Sequence, residues 1–380
     1  MFQSSLRRRL CTVAGSLALV TSVIACSAPV VSDASGGLAM VVGAHSNMPP
    51  TAVGGVAEQV LTNAVRTRSA VSVVVADGAP FVLDAEQSGT AGVANREALD
   101  EALTSAAART PETDLLTALG LGAAEIASAD GRRTVLVVDS GLSTTGALDF
   151  RREGLLDADP ADVVGSLQAA GALPDLSGVH VVFQGLGDTA APQPSLGEPV
   201  RRQLADLWTA VALAAGALDV SVERTPLVGE PVAGLPPVSL IGLGGGVTCT
   251  QSTVVLDGGA VAFQADTSAF QDAAAAAAEL QPIADRMRAA GVTATLVGTT
   301  ADVGDAEGQR RLSEQRARAV ADLLGGLGVP AERLTVVGLG SDFPGYVQDR
   351  DASGTLDPAA AAQNRKVTIE LVGAGSAVCA

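Results

Sequence analysis

Short apolar strands alternating with helices predict that the first part of this chain is α/β, a doubly wound, mostly parallel sheet covered on both faces. A different order near the C-terminus predicts a second domain of two-layer α+β type. Three observations carry this. Apolar, largely β-branched runs recur at 38–42, 71–75, 134–138 and 179–183, with segments of helical periodicity between most of them. A stretch rich in Pro and Gly then interrupts the pattern at 224–250. Beyond it, short strands are interleaved with only two long helical segments, as expected for a sheet with helices on one face.

The elements follow in order. Residues 38–42 read as a buried strand stopped by Gly43, and residues 52–66 as a helix. The strand at 71–75 continues past an Asp77-Gly78 turn into 81–83, which predicts a hairpin. Helices are expected at 95–107 and 113–128. Thr113 is the candidate cap of the second, with Leu115, Leu116, Leu119 and Ala123 on one face. A strand at 134–138, a helix at 160–170, a strand at 179–183, a helix at 198–215 and a strand at 218–222 complete the first domain, residues 37–223. The linker at 224–250 is stiffened by Pro226, Pro231, Pro236 and Pro237 and loosened by Gly242-Leu-Gly-Gly-Gly246. That glycine cluster lacks the spacing of a nucleotide-binding loop. In the second domain, residues 251–380, strands are expected at 260–263, 292–297, 334–337 and 366–372, with helices at 268–290 and 306–325.

The N-terminus speaks to location. Arg7, Arg8 and Arg9 precede an apolar run at 10–20 and then Val23-Ile24-Ala25-Cys26, the layout of a secretory signal peptide. The last four residues resemble a bacterial lipobox. In that reading residues 1–25 are removed, Cys26 carries palmitate-type acyl chains, and residues 26–36 form a tether. The alternative is an uncleaved membrane anchor, although the run is shorter than the about 20 apolar residues a span needs. The expected location is exported and lipid-anchored, in the cell envelope outside the cytoplasm. Loss of residues 1–25 leaves 21 basic residues against 41 acidic ones, a net charge of −20. Such a charge argues against nucleic acid and anionic headgroups as partners.

Two cysteines remain, Cys249 and Cys379, near the two ends of the second domain. In an oxidising compartment they read as a disulfide, with two free thiols as the alternative. No cofactor or metal is expected, and no enzyme. Only His45 and His180 are available, no Ser, His and acid motif is visible, and no zinc-ligand spacing occurs.

One stretch is more specific than the rest. It reads Gly298-Thr-Thr-Ala-Asp-Val-Gly304, then Gln309-Arg-Arg-Leu312-Ser313-Glu-Gln-Arg316-Ala317, then Asn364-Arg365-Lys366-Val367. These blocks resemble the OmpA-like peptidoglycan-binding domain, with its pattern G-H-T-D-x-x-G, N-x-x-L-S-x-x-R-A and N-R-[RK]-V. The resemblance implies a cell-wall peptide stem as ligand, commonly its diaminopimelate, which carries both ammonium and carboxylate. It places Arg316 on the carboxylate, with Thr300, Asp302 and Gln309 as further ligand-binding candidates, and Asn364 and Arg365 pinning the last strand. The family's acid falls on Ala301, so the ammonium loses its expected counter-charge. The first domain resembles the von Willebrand factor type A domain by element order. That family's metal-site positions hold Gly43, His45, Asn47, Thr113 and Asp139, an incomplete set for a hard cation. His45 and Asn47 stand at the carboxyl end of a strand, where open α/β sheets bind ligands, and a partner contact there is one reading of them. Two functions follow. One is a lipid-anchored tether that binds peptidoglycan through its OmpA-like domain. The other is an envelope assembly or adhesion module whose first domain binds a protein and whose second domain has lost its ligand.

Overall fold

Strand β1 (Gly37–Val42) explains the first sheet. All six of its residues are buried. They alternate between two cores, with Ala39 and Val41 in one and Leu38, Met40 and Val42 in the other. A strand buried on both faces needs strand neighbours on each side and helices above and below. β1 pairs in parallel with β2 (Ala70–Val75) and with β4 (Arg133–Val138). The parallel run continues through β5 (Val179–Gln184) to β6 (Asp219–Glu223). β3 (Phe81–Val82) adds an antiparallel edge to β2, so the order is β3-β2-β1-β4-β5-β6. Helices α1 (Gly55–Thr67) and α2 (Arg96–Ser105) cover the Met40 face. Helices α3 (Leu115–Glu125), α4 (Pro160–Ala169) and α5 (Glu198–Ala214) cover the Val41 face. On that face Trp208 is fully buried, and its indole N–H donates to the Gly141 carbonyl at 2.8 Å.

The computed structural model describes residues 36–83, 95–250 and 252–373. The expected signal peptide, Cys26, the tether and Cys379 lie outside the described residues. Cys249 is disulfide-bonded. Among the described residues, no helix is long and apolar enough to cross a membrane.

The second sheet has the order β10-β9-β11-β8-β7. Its strands are β7 (Val247–Thr250), β8 (Thr253–Leu256), β9 (Thr293–Thr299), β10 (Leu334–Gly340) and β11 (Val367–Val372). β9 and β10 are parallel, whereas β11 runs antiparallel to both β9 and β8. Helices α6 (Ala273–Ala290) and α7 (Ala306–Gly326) pack on this sheet through Leu280, Ile283, Met287, Ala317, Val320 and Leu324. Two glycines let α7 come close. A Cβ on Gly298 would collide with the Ser313 carbonyl, and one on Gly338 would lie 2.5 Å from the Arg310 carbonyl oxygen. Gly298 is thus required by the helix crossing above it.

Three expectations need correction. The strand expected at 260–263 is a 3-10 turn, Gly259–Val261, because Gly258 and Gly259 both have positive φ and break extension. The strands lie earlier, and β7 falls inside the expected linker. The cap of α3 is Asp114, whose carboxylate accepts from the Thr117 N–H at 3.0 Å. Thr113 instead donates to the Ala76 carbonyl at 3.1 Å, so its hydroxyl serves the end of β2. A short helix, α8 (Pro358–Asn364), also stands where none was expected, capped by Asp357 with Pro358 at its first position.

Helix α8 joins the two sheets. The described residues belong to one compact unit, and Ala359 and Ala362 of α8 are buried in the core beneath α4 and α5. Arg152 pairs with Asp357 at 2.5 Å, and Arg365 with Asp162 at 2.5 Å. Gln363 donates to the Glu153 carbonyl at 2.7 Å. The seam therefore combines apolar burial with one exposed ion pair, Arg152–Asp357, and one half-buried pair, Arg365–Asp162, the stronger of the two.

Gly338→Ala should push α7 off its sheet and destabilise the protein by about 1–3 kcal/mol, the usual range for overpacking. Urea unfolding checks this, and a midpoint equal to wild type would show that the close crossing is not required.

Candidate functional site

Helix α7 organises the second domain's loops through one face. Gln309, Ser313 and Arg316 are spaced by four and three residues, so they share that face, and all three are buried. The helix starts at Asp305, whose carboxylate accepts from the Gly308 N–H at 2.8 Å. Gln309 donates to Asp302 Oδ1 at 3.0 Å and to the Gly304 carbonyl at 3.2 Å, and accepts from the Ser341 hydroxyl at 2.6 Å. Its amide is committed to holding the loop. Ser313 does similar work, accepting from the Gly340 N–H at 3.0 Å and donating to the Arg310 carbonyl at 2.9 Å.

Asp302 is held away from the cavity that Arg316 lines. Its N–H donates to Asp349 Oδ2 at 2.9 Å. Its carbonyl accepts two bonds from Arg350, at 3.0 and 2.6 Å. Its carboxylate takes the Gln309 amide and lies 3.5 Å from Arg350. Asp349 is fully buried and also accepts from Asn364 at 3.0 Å and from the Tyr346 hydroxyl. Burial and this hydrogen bond hold the Tyr346 phenol up at about 12. Asn364 closes the network by donating to the Val347 carbonyl at 2.7 Å and accepting from the Val347 N–H at 2.9 Å. Asp302, Asp349, Arg350 and Asn364 thus form a brace for the loop after β9.

Arg316 differs from all of these. It is only 7% exposed, yet among the described residues no carboxylate lies within ion-pair distance of it. Its Nε–H donates to the Thr267 carbonyl at 2.9 Å, and its guanidinium sits 5.4 Å from the Phe263 ring centroid. Burial first, and repulsion from Arg365 second, lower its pKa to about 10, with Asp266 and Asp159 pulling the other way. Arg316 faces a cavity of about 190 Å³ at the seam between the two sheets. Thr300 and Ala301 line it as well. Among the described residues, the buried Thr300 hydroxyl has no hydrogen-bond partner, and neither has one terminal nitrogen of Arg365, Nη1, whose other arm holds Asp162. Such orphaned donors are rare in folded proteins and need an explanation.

The first domain supplies the opposite wall. Asp157, at the end of the 3-10 turn Leu155–Asp157, and Asp159, the cap of α4, both line the cavity. The Asp157 carboxylate rests in a glycine cradle. A Cβ on Gly245 would lie 2.5 Å from its Oδ1, and one on Gly258 would lie 2.6 Å away. Burial first, and the neighbouring Asp257 second, raise the Asp157 pKa to about 7, opposed by a hydrogen bond from the Gly259 backbone. Asp257 is raised too, mainly by burial. These acids carry no motif. The paired glycines at 245–246 and 258–259, which mark a close backbone approach, were the only sequence signal that could have located them.

The suspected cation positions of the first domain are filled by protein. His45 Nδ1 lies 2.7 Å from Asn47 Oδ1, and its Nε2 lies 3.3 Å from Asp139 Oδ2. A Cβ on Gly43 would collide with the same Asp139 oxygen. Among the described residues, no group of three or more His, Cys, Asp or Glu could hold a metal ion. His45 and Asn47 are 1% and 2% exposed. The expectation that these two side chains touch a partner is therefore corrected, because their own hydrogen bonds wall them in.

Residues 262–365, about a quarter of the chain, match the model of the OmpA family. They form an OmpA-like domain. No curated protein matches the chain. Among solved structures it is similar to the peptidoglycan-associated lipoprotein from Burkholderia pseudomallei, at 26% identity over 32% of this chain and 89% of that one, with a TM-score of 0.25. It is also similar to the cell wall anchor of the T6SS from Pseudomonas aeruginosa, at 26% identity over 32% of this chain and 83% of that one, with a TM-score of 0.26. The periplasmic domain of Helicobacter pylori MotB matches at 18% identity over 33% of this chain and 79% of that one, with a TM-score of 0.26.

Asp157 gives a pH prediction. An acid whose pKa is raised on folding contributes stability that is fully present below its unfolded value, near 4. That contribution is lost as pH rises through its folded value, about 7. Asp157→Asn should therefore leave stability almost unchanged at pH 4 and raise it at pH 8, by at most about 4 kcal/mol. Thermal unfolding at the two pH values checks this, and equal shifts at both would refute the buried-acid account.

Proposed function

We propose that this chain is an exported envelope protein that tethers the membrane, through lipid on Cys26, to peptidoglycan through its OmpA-like domain. In this reading Arg316 holds a carboxylate of the peptide stem. The observation that carries it is a buried guanidinium that has no ion pair among the described residues and faces a cavity beside the Thr300 hydroxyl, itself unpartnered among them. A buried, unpaired arginine offers a fork of donors suited to two-point capture of a carboxylate. The names of the similar proteins, a peptidoglycan-associated lipoprotein and a cell wall anchor, agree with this reading. Thr300 is the second ligand-binding side chain. Asp302 and Gln309 are reassigned from ligand contact to bracing the loop. We read the chain as a binder and not a catalyst, and pair Cys249 with Cys379 across the ends of the second domain.

A second reading keeps support from one observation. Ala301 stands where the family's acid would be, and the first domain lies against the cavity, with Asp162 holding one arm of Arg365. In that reading the first domain, which we take as von Willebrand factor type A-like, recruits an envelope protein through a surface other than His45 and Asn47.

Retention on purified sacculi separates the two. Wild type should sediment with the wall and Arg316→Ala should stay in solution, with unchanged thermal unfolding. Equal sedimentation of a folded Arg316→Ala protein would sink the tether reading. Cys26→Ala should abolish labelling by a radioactive fatty acid and release the protein from membranes. Equal labelling of both proteins would remove the lipid anchor.

A further inference from the structure

The first turn of α4 reaches from the first domain to the pocket of the second. Asp159 and Pro160 line the same cavity as Thr300, Arg316 and Arg365. Asp162, in the same turn, pairs with Nη2 of Arg365 at 2.5 Å, the two side chains being 19% and 22% exposed. Asp159 caps the helix by accepting from the Ala161 N–H at 2.8 Å. Its charge also acts on Arg316, favouring the protonated form as that of Asp266 does. Two acids of the first domain therefore act on the two arginines that line the cavity. Neither arginine is fully satisfied by them. Among the described residues, Nη1 of Arg365 is buried without a partner, and Arg316 has a carbonyl but no ion pair. Polar groups left in this state disfavour the arrangement that buries them.

We propose that the first turn of α4 is an autoinhibitory plug: the first domain offers Asp162 to Arg365 and Asp159 to the cavity in place of a ligand's carboxylate, and wall binding displaces this turn. The inference rests on the reading of the Arg316 cavity as the wall-binding site, and it adds the regulation of that site. The competition is local. A carboxylate entering the cavity takes the place of Asp162 on Arg365, while Ala359 and Ala362 of α8 stay in the first domain's core. With the plug seated the chain binds weakly, because apparent affinity falls by the fraction of molecules whose pocket is occupied from within. Coupling is reciprocal, so whatever draws the first turn of α4 away strengthens wall binding by the same factor. The first domain thereby gains a role at the pocket that needs no contact of its own with the wall.

Titration of the full chain onto purified sacculi tests this. Asp159→Asn with Asp162→Asn removes both charges and keeps the helix cap, because Asn caps as well as Asp. The double variant should bind about fivefold more tightly than wild type, the scale of one partly exposed ion pair. Asp162→Asn alone should give most of that gain. Asp266→Asn removes a charge that acts on Arg316 but none that holds Arg365, and should give less. Amide hydrogen exchange in residues 157–166 of wild type should rise when muropeptides released from the sacculi are added. Equal tightening by Asp266→Asn overturns the plug, since charge alone then explains the gain. Exchange that stays unchanged while muropeptide binds overturns it as well. Double-variant binding no tighter than wild type, with both lost on Arg316→Ala, overturns the plug and leaves the wall-binding reading intact. Failure of wild type and the double variant to bind sacculi overturns both.

Discussion

A buried guanidinium with no carboxylate beside it is unfavourable, and the second domain is arranged around one. Arg316 keeps its place because α7 is locked to the sheet below it, through Gly298 and Gly338 and through Ser313 bonding to Gly340. The loop after β9 is fixed in turn by Gln309 and by the brace of Asp302, Asp349, Arg350 and Asn364. These polar groups are saturated among themselves. Among the described residues, the Thr300 hydroxyl and one arm of Arg365 stay unpartnered beside the cavity that Arg316 also lines. Burial first, and the neighbouring Arg365 second, weaken the arginine's hold on its proton. Differences of this kind are a common mark of a binding site.

The seam between the sheets governs access to that arginine. Helix α8 carries Ala359 and Ala362 into the first domain's core, and its flanks carry Asp357 and Arg365 to partners there. The cavity wall opposite Arg316 is fixed by the same contacts. Several acids gather at this wall, where burial raises both Asp157 and Asp257 and the Asp257 charge raises Asp157 further. In the first domain a different solution was reached at the carboxyl ends of the strands. His45, Asn47 and Asp139 hydrogen-bond one another there and are buried.

The sequence by itself determined the order of elements in the first domain, the burial of β1, the helix α7 and the position of Arg316 on it. These are local properties. Strand alternation, helical spacing and turn residues are set by neighbours within a few positions, so they can be read along the chain. Cap identity at Thr113 and Asp114, the 3-10 turn at Gly259–Val261 and helix α8 were missed by small margins, because competing hydrogen bonds and positive-φ glycines decide them. The tertiary structure alone decided that Asp302 and Gln309 brace the loop, that His45 and Asn47 are enclosed, and that Asp157 meets Asp257 across the seam. Those outcomes depend on which surfaces the two sheets present to each other. That choice is made by many weak contacts summed over α8 and the cavity walls, and no spacing within a single segment encodes it.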